Sequence, residues 1–188
     1  MSAASQAMLL RGAGREDFTV EAFSVAEAVE QGRRKDGPVL LLELSDCAGG
    51  GAASDSIALV AGLLGCGAGQ SADEMCISMC VDPEAAAAAV AAGEGARLTL
   101  KLGHALDPKW GTPLEVEAEV KTVAEDGRFT YTGGPFGGTE TSMGPSAVVT
   151  VGGNVHVLVM DTATYDWADE QYLRMVRPPA RPLPPSRP

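Results

Sequence analysis

The chain has 188 residues, of which 45% are hydrophobic and 21% charged, a composition typical of a globular protein with one core of ordinary size. Its 14 Lys and Arg against 25 Asp and Glu give a formal net charge of −11. Such a chain repels phosphate backbones, so nucleic acid is excluded as an expected partner. No apolar run approaches the ~20 residues that a membrane-spanning helix needs, and the sequence predicts no membrane partner.

Four cysteines, Cys47, Cys66, Cys76 and Cys80, are too few and too irregularly spaced for a disulfide scaffold, and none forms a CxxC pair. They predict reduced thiols and a cytoplasmic protein. Residues 1–15 contain arginines but no acidic residue, a composition that an organellar transit peptide also has, so that alternative stays open.

Composition divides the chain into three parts. Residues 1–16 are predicted to be a flexible lead-in, residues 17–175 one folded domain, and residues 176–188 a disordered tail rich in Pro and Arg.

Within the tail, Pro182, Pro185 and Arg187 fit the P-x-x-P-x-R pattern that SH3 domains bind in an extended conformation. Such patterns also arise by chance in Pro/Arg-rich tails, so an SH3 partner is a weak alternative.

The first half of the chain alternates between helix and strand signals. Ser24, with Glu27 three residues later, predicts the start of a helix, and Asp82-Pro83 predicts a second start with Asp as N-cap and Pro in the first turn. Apolar runs bounded by turn residues predict buried strands, and helical periodicity predicts a further helix. The predicted strands are Val39–Leu44, Met75–Val81 and Arg97–Leu102, and the further helix is Ile57–Leu64.

The second half changes to alternating strands. Leu114–Val123 alternates strictly between apolar and polar residues, as a half-solvated antiparallel strand does. Gly152-Gly153-Asn154 predicts a hairpin connection. Further strands are predicted at Arg128–Tyr131, Ala147–Val151 and Val155–Met160. The predicted fold class is therefore mixed α/β in a single domain, with α/β units first and an antiparallel β section after them.

A glycine-rich loop is the main candidate for binding. Gly49, Gly50 and Gly51 lie between a predicted strand and a predicted helix, where backbone amides and a helix N-terminus favour an anion. The loop matches neither a P-loop nor a dinucleotide fingerprint, and a plain tight turn is the alternative. Asp46 and Asp55 flank it; Asp55 is interpreted as a helix N-cap, or else as a polar group at the edge of a site. These five residues form the hypothetical ligand-binding loop.

No catalytic residue and no metal ligand is predicted in this chain. Of the two histidines, His156 is interpreted as a strand-surface residue, while His104 follows Gly103 in a turn and has no ligand spacing near it. Cys76 and Cys80 share a strand face and are interpreted as structural thiols, with metal or redox chemistry as the alternative. There is no Gly-x-Ser-x-Gly elbow, and two histidines leave little material for a triad.

Four segments in series resemble the C-terminal domain of the MlrC-type (microcystinase C) metallopeptidases: SDCAGGGAASDSIALVAGLLG, VDPEAAAAAVAAGEGARLTLKLG, DPKWGTPLEVEAEV and MGPSAVVTVGG. The family's pattern has an Asp-Asn-Pro-Gly-Gly-Gly-Ala loop, an Asp-Pro helix that ends in Ala-Gly-x-Gly-Ala, and a Leu-Gly-Gly-Lys turn before Asp-Pro-x-x-Gly-x-Pro-Leu. The order holds over roughly residues 17–173. Matching positions are Asp46, Gly49, Gly50, Gly51, Ala52, Asp55, Asp82, Pro83, Ala92, Gly93, Gly95, Ala96, Gly103, Asp107, Pro108, Gly111, Pro113, Leu114, Gly144 and Ala147.

The chain departs from the family at chemically important places. Cys47-Ala48 replaces the Asn-Pro of the loop, Ala53-Ser54 replaces Pro-Gly, and His104-Ala105 stands where the family has Gly-Lys. The family's zinc ligands belong to a larger N-terminal domain, so the resemblance carries no zinc ligand onto these residues.

The resemblance implies a zinc hydrolase context in which metal-activated water attacks an amide bond. Under the first hypothesis, the chain is the C-terminal domain of such an enzyme, is non-catalytic alone, and has the metallopeptidase N-terminal domain as its partner. Under the second, it is a stand-alone small-ligand, anion-binding or structural domain, a divergent gene fragment. A separated domain also predicts self-association through an uncovered apolar surface. The substrate is not predicted.

Overall fold

The computed structural model describes residues 21–43, 45–165 and 169–176. The predicted lead-in lies outside these residues, and so does the predicted Pro/Arg-rich tail with its Pro182 motif, except for its first residue, Val176, which ends a helix. No helix in the described part of the chain is long and apolar enough to cross a membrane.

The described residues form four α-helices and seven strands. The helices are α1 (Val25–Gly32), α2 (Ala58–Gly65), α3 (Pro83–Ala92) and α4 (Glu170–Val176). The strands are β1 (Cys76–Val81), β2 (Arg97–Leu102), β3 (Leu114–Ala124), β4 (Arg128–Thr130), β5 (Glu140–Ser142), β6 (Ser146–Val151) and β7 (Val155–Met160).

Five strands form one mixed sheet in the order β1-β7-β6-β3-β2, and β4 and β5 form a separate hairpin. β1 runs parallel to β7, whereas the β7-β6, β6-β3 and β3-β2 pairs are antiparallel. This confirms the predicted α/β class and the antiparallel second half.

The sheet curls until its two edge strands come close to the same segment. The Val81 amide, at the end of β1, donates to the carbonyl of Ser54 at 2.9 Å, and the His104 amide, just after β2, donates to the carbonyl of Asp55 at 2.8 Å. Residues 54 and 55 therefore bridge opposite edges of the sheet, and this junction contains the candidate site.

Each face of the sheet has its own apolar cluster. The larger cluster joins the sheet to the helices before and after β1 and includes Val60, Ala89 and Val157. The smaller one, which includes Phe129 and Met175, lies under the β4-β5 hairpin and α4. Burial on both faces accounts for the continuous apolar runs of β6 and β7.

The helix starts follow the sequence signals. Ser24 and Glu27 form a capping box at α1, and the side chain of Asp82 accepts from the Ala85 amide at the start of α3, with Pro83 in the first turn. Because each cap satisfies an amide that has no partner within the helix, these local signals suffice to fix where the helices begin.

The strand predicted at Val39–Leu44 is not formed over residues 39–43; Leu44 lies outside the described residues. Leu41 packs against the larger core cluster, while Leu40 and Leu42 are exposed. A groove separates the start of this segment from β1. Because this groove keeps residues 39–41 from pairing with the edge of β1, the apolar run makes no ladder, and the prediction was wrong here.

Candidate functional site

The glycine-rich loop is closed by Asp46. The Ser54 amide donates to Asp46 Oδ1 at 2.8 Å and the Ser56 amide to Asp46 Oδ2 at 2.7 Å. One carboxylate thus joins the two ends of a loop that runs through a 3₁₀ turn at Ala48–Gly50. Asp46 fixes the loop's shape, and both of its oxygens are engaged in doing so.

Amides of the loop donate inward. Gly50 and Ala52 donate to the carbonyl of Cys47 at 2.9 and 3.2 Å, and Gly51 donates to that of Ala48 at 3.0 Å. Gly51 has φ +88°, a conformation that glycine adopts without strain. These bonds account for the loop as a tight turn, and the predicted anion contact remains a prediction.

The glycines differ in what surrounds them. A Cβ on Gly49 would lie 2.9 Å from Cε1 of the Tyr165 ring, whereas a Cβ on Gly50 would meet nothing within 4 Å. The need for glycine at 49 therefore comes from a close contact inside the domain. Gly50 lies on the open side of the loop, where another molecule can approach its backbone.

Asp55 is not a helix N-cap. The residue before α2 is Ile57, which makes no side-chain cap. Asp55 is buried, and its Oδ2 accepts from the amides of both Leu106 and Asp107 at 2.8 Å. The N-cap interpretation was wrong because the carboxylate reaches across to the loop after β2 and holds it, rather than turning to the helix next in sequence.

Asp82 makes a second link of the same kind. Its Oδ1 accepts from the Ala85 amide at 3.0 Å and its Oδ2 from the Gly103 amide at 2.9 Å. Gly103 has φ +79°, and a Cβ there would lie 2.7 Å from the carbonyl oxygen of Asp55. Asp82 thus ties the start of α3 to the end of β2, and only glycine fits at 103.

His104 carries two structural costs at the same junction. It is 7% exposed with φ +53°, and within the described part of the chain its buried Nδ1 has no hydrogen-bond partner. A Cβ on Gly111 would overlap its ring. Ser54, which is also buried, has φ +58°. A positive φ at a non-glycine residue is uncommon and strained. Here both such residues adjoin Asp55: Ser54 precedes it in the sequence, and His104 donates its amide to the Asp55 carbonyl.

The other candidate residues lie away from this junction. His156, on β7, bonds Thr150 Oγ1 through Nδ1 and Asn154 Oδ1 through Nε2, each at 2.9 Å. Burial, and then the charge of Lys121, lowers its pKa. These contacts fit the strand-surface interpretation.

All four cysteines are free thiols. Cys76 and Cys80 lie on β1, and Cys80 is fully buried. Burial, followed by the charges of Asp82 and Asp55, raises the Cys80 pKa, which keeps that thiol protonated and inert.

The described residues do not fit a metal. No group of three or more His, Cys, Asp or Glu side chains among them could hold an ion. The three carboxylates nearest the junction, Asp46, Asp55 and Asp82, each accept two backbone amides. We therefore derive no zinc-dependent step within this chain.

The site is a rigid backbone platform with an exposed rim. Leu106 is 51% and Trp110 72% exposed on the loop that Asp55 holds, and Lys109 Nζ lies 4.4 Å from the centroid of the Trp110 ring. The side chains of Leu106 and Trp110 therefore expose apolar surface beside the junction.

The pattern of one protein family, MlrC C-terminus, matches residues 41–177. The chain belongs to the MlrC C-terminus family. A solved structure has the same fold: a protein from Mesorhizobium sp. BNC1 to which metallopeptidase activity is ascribed, 28% identical, with a TM-score of 0.70. That alignment covers 82% of this chain and 30% of the Mesorhizobium chain. No curated protein matches.

Sequence reasoning located part of the MlrC C-terminus junction. Asp46 and Asp55 lie at either end of the predicted loop; Asp46 fixes that loop's shape, whereas Asp55 holds the loop after β2. Asp82, Gly103 and His104 were not predicted to belong to it. The signal available was the family's own pattern, which has glycine at the His104 position; a histidine there implies a strained backbone.

Proposed function

We propose that this chain is the C-terminal domain of an MlrC-type zinc metallopeptidase and is non-catalytic without the metal-binding domain. In that enzyme zinc would activate water to hydrolyse an amide bond. The observation that carries the proposal is the family match over residues 41–177, together with a chain that spans only 30% of a protein of metallopeptidase type.

The proposed role of the glycine-rich loop is to face the active site across the interface between the two domains. The geometry of the loop supports this role. Asp46 fixes the loop by hydrogen bonds within the domain, and the space around Gly50 on the outer face of the loop is open. A fixed backbone with an open face can contact a substrate or the other domain with little loss of entropy on binding.

The cytoplasm is the proposed location. The four free thiols support it, because a reducing compartment keeps cysteines unpaired.

Activity tests this function directly. A hybrid is made in which this chain replaces the matching stretch of the Mesorhizobium protein, and hydrolysis of quenched-fluorescence peptides is followed with and without a zinc chelator. We expect chelator-sensitive hydrolysis by the hybrid and none by the 188-residue chain alone. Hydrolysis by the isolated chain, or stoichiometric zinc retained by it after dialysis, would contradict the proposal, and so would an inactive, folded hybrid.

A further inference from the structure

One edge of the main sheet is uncovered within the described residues. β1 pairs with β7 on one side only. On its other side the Val81 amide donates to the carbonyl of Ser54. Because every second amide of a strand points to the same side, the amides of Ile77 and Met79 also point away from β7. No described residue accepts from either of them. An open strand edge of this kind is a ready site for another polypeptide.

The segment beside this edge is apolar on its outer face. Leu41 packs against the core, while Leu40 is 81% and Leu42 74% exposed. A continuous apolar run is typical of chain that is buried on both faces. Here only one of the two faces is covered.

Four exposed apolar side chains, those of Val39, Leu40, Met75 and Ile77, line one groove of about 900 Å³ at this edge. Leu42, two residues after Leu40, is exposed as well, and we call these five residues the apolar edge patch. Single exposed apolar residues are ordinary on a protein surface, but a contiguous group marks an interaction surface.

The rim of the groove is polar. Arg33 Nε lies 2.7 Å from Glu74 Oε1, and both residues line the groove, as does Asp73. An apolar centre with a charged rim is the usual arrangement of a protein–protein interface.

We infer that the apolar edge patch is where the metal-binding domain docks, an inference that rests on the proposed function. Three observations favour that occupant. The Mesorhizobium protein has a further 70% of chain outside the shared fold, since the alignment covers 30% of it. The segment that carries Leu40 and Leu42 immediately precedes the glycine-rich loop in the sequence, and that loop is proposed to face the same domain. A second copy of this chain would bring together two net charges of −11, which repel each other.

Radical footprinting with hydroxyl radicals tests the surface without changing the chain. Oxidation rates of Leu40, Leu42 and Met75 are compared between the isolated chain and the hybrid protein. We expect them to be at least about fivefold lower in the hybrid, because the core of an interface excludes water. Buried Met143, 0% exposed, serves as the internal reference.

A double variant provides the second measurement. Leu40→Ser with Leu42→Ser removes apolar surface at exposed positions and leaves folding intact. We expect the variant chain to bind the metal-binding domain, supplied as a separate polypeptide, at least about tenfold more weakly than the unchanged chain does. A loss of this size is what removing a pair of hot-spot residues causes. Leu40→Met with Leu42→Met keeps apolar side chains of similar volume at the same two positions; this matched control should bind as the unchanged chain does.

Three results would overturn the inference. The first is an unprotected patch in an active hybrid, which leaves the proposed function standing. The second is protection only at Leu106 and Trp110, which would assign docking to their loop. The third is protection of the patch in the isolated chain that grows with concentration, which would assign it to a second copy. A protected patch in an inactive hybrid would instead count against the proposed function alone.

Discussion

Replacing Asp82 and Asp55 in turn by asparagine separates two ways in which a buried carboxylate holds this junction. Asp82 is 1% and Asp55 3% exposed, and each accepts two backbone amides. Asp82 uses one oxygen for each amide. Asp55 uses Oδ2 for both. An asparagine side chain has only one accepting oxygen. The two substitutions should therefore differ in their cost in free energy of unfolding, although the two aspartates are buried alike and accept the same number of hydrogen bonds.

At Asp82 the new amide nitrogen must face either the Ala85 or the Gly103 amide. One charge-assisted bond is lost, about 1.5–3 kcal/mol, and one buried donor is left without a partner, about 1–3 kcal/mol. The sum is about 4 kcal/mol. At Asp55 an asparagine carbonyl in the Oδ2 position keeps both bonds and loses only their charge assistance, on the order of 1–2 kcal/mol.

Thermal unfolding followed by circular dichroism at pH 7 measures both losses as changes in Tm. In a chain of this size 1 kcal/mol changes Tm by about 2–4 °C. Asp82→Asn should therefore lower Tm by roughly 8–16 °C, and Asp55→Asn by several degrees at most. Equal losses, or a larger loss for Asp55→Asn, would refute the argument that the division of oxygens decides the cost.

Three further predictions follow from single residues. Gly103→Ala should destabilise the domain by about 2–4 kcal/mol, because a Cβ there meets the Asp55 carbonyl. Gly50→Ala should leave the midpoint of urea unfolding almost unchanged, because a Cβ there meets nothing. A large loss of stability in Gly50→Ala would contradict this. Iodoacetamide at pH 8 should modify Cys47, which is exposed, and leave Cys80 intact because burial raises its pKa; peptide mass spectrometry reads both sites, and early labelling of Cys80 would contradict its burial. Burial lowers the pKa of His156 in the folded protein, so its contribution to stability is fully present above the unfolded value of about 6.5. Stability should therefore fall as the pH drops through that value toward the folded pKa. His156→Gln should make the free energy of unfolding less dependent on pH in this range, and an unchanged dependence would contradict the assignment to His156.

Local signals predicted the local structure well. Ser24 with Glu27 and Asp82 with Pro83 mark helix starts that the structure has, because a cap needs only residues that are neighbours in sequence. β3 followed from its alternation of apolar and polar residues, whereas β6 and β7 are apolar runs with a core cluster on each face.

Contacts between distant residues were not predictable in the same way. Asp55 looks like an N-cap in sequence, but its partners are more than fifty residues away. The closeness of Asp82 to Gly103 depends on the curl of the whole sheet. Residues 39–43 can form a strand only where a strand edge lies within hydrogen-bonding distance. The residue pattern of the segment carries no information on that distance.

The measurement that tests the central claim most directly is the native mass of the protein in its source cells, captured with an antibody against this domain. The account predicts either a polypeptide far heavier than 19.3 kDa or a stoichiometric complex with a zinc-binding polypeptide. A free chain of 19.3 kDa with no such companion would contradict it and favour a stand-alone binding or structural domain.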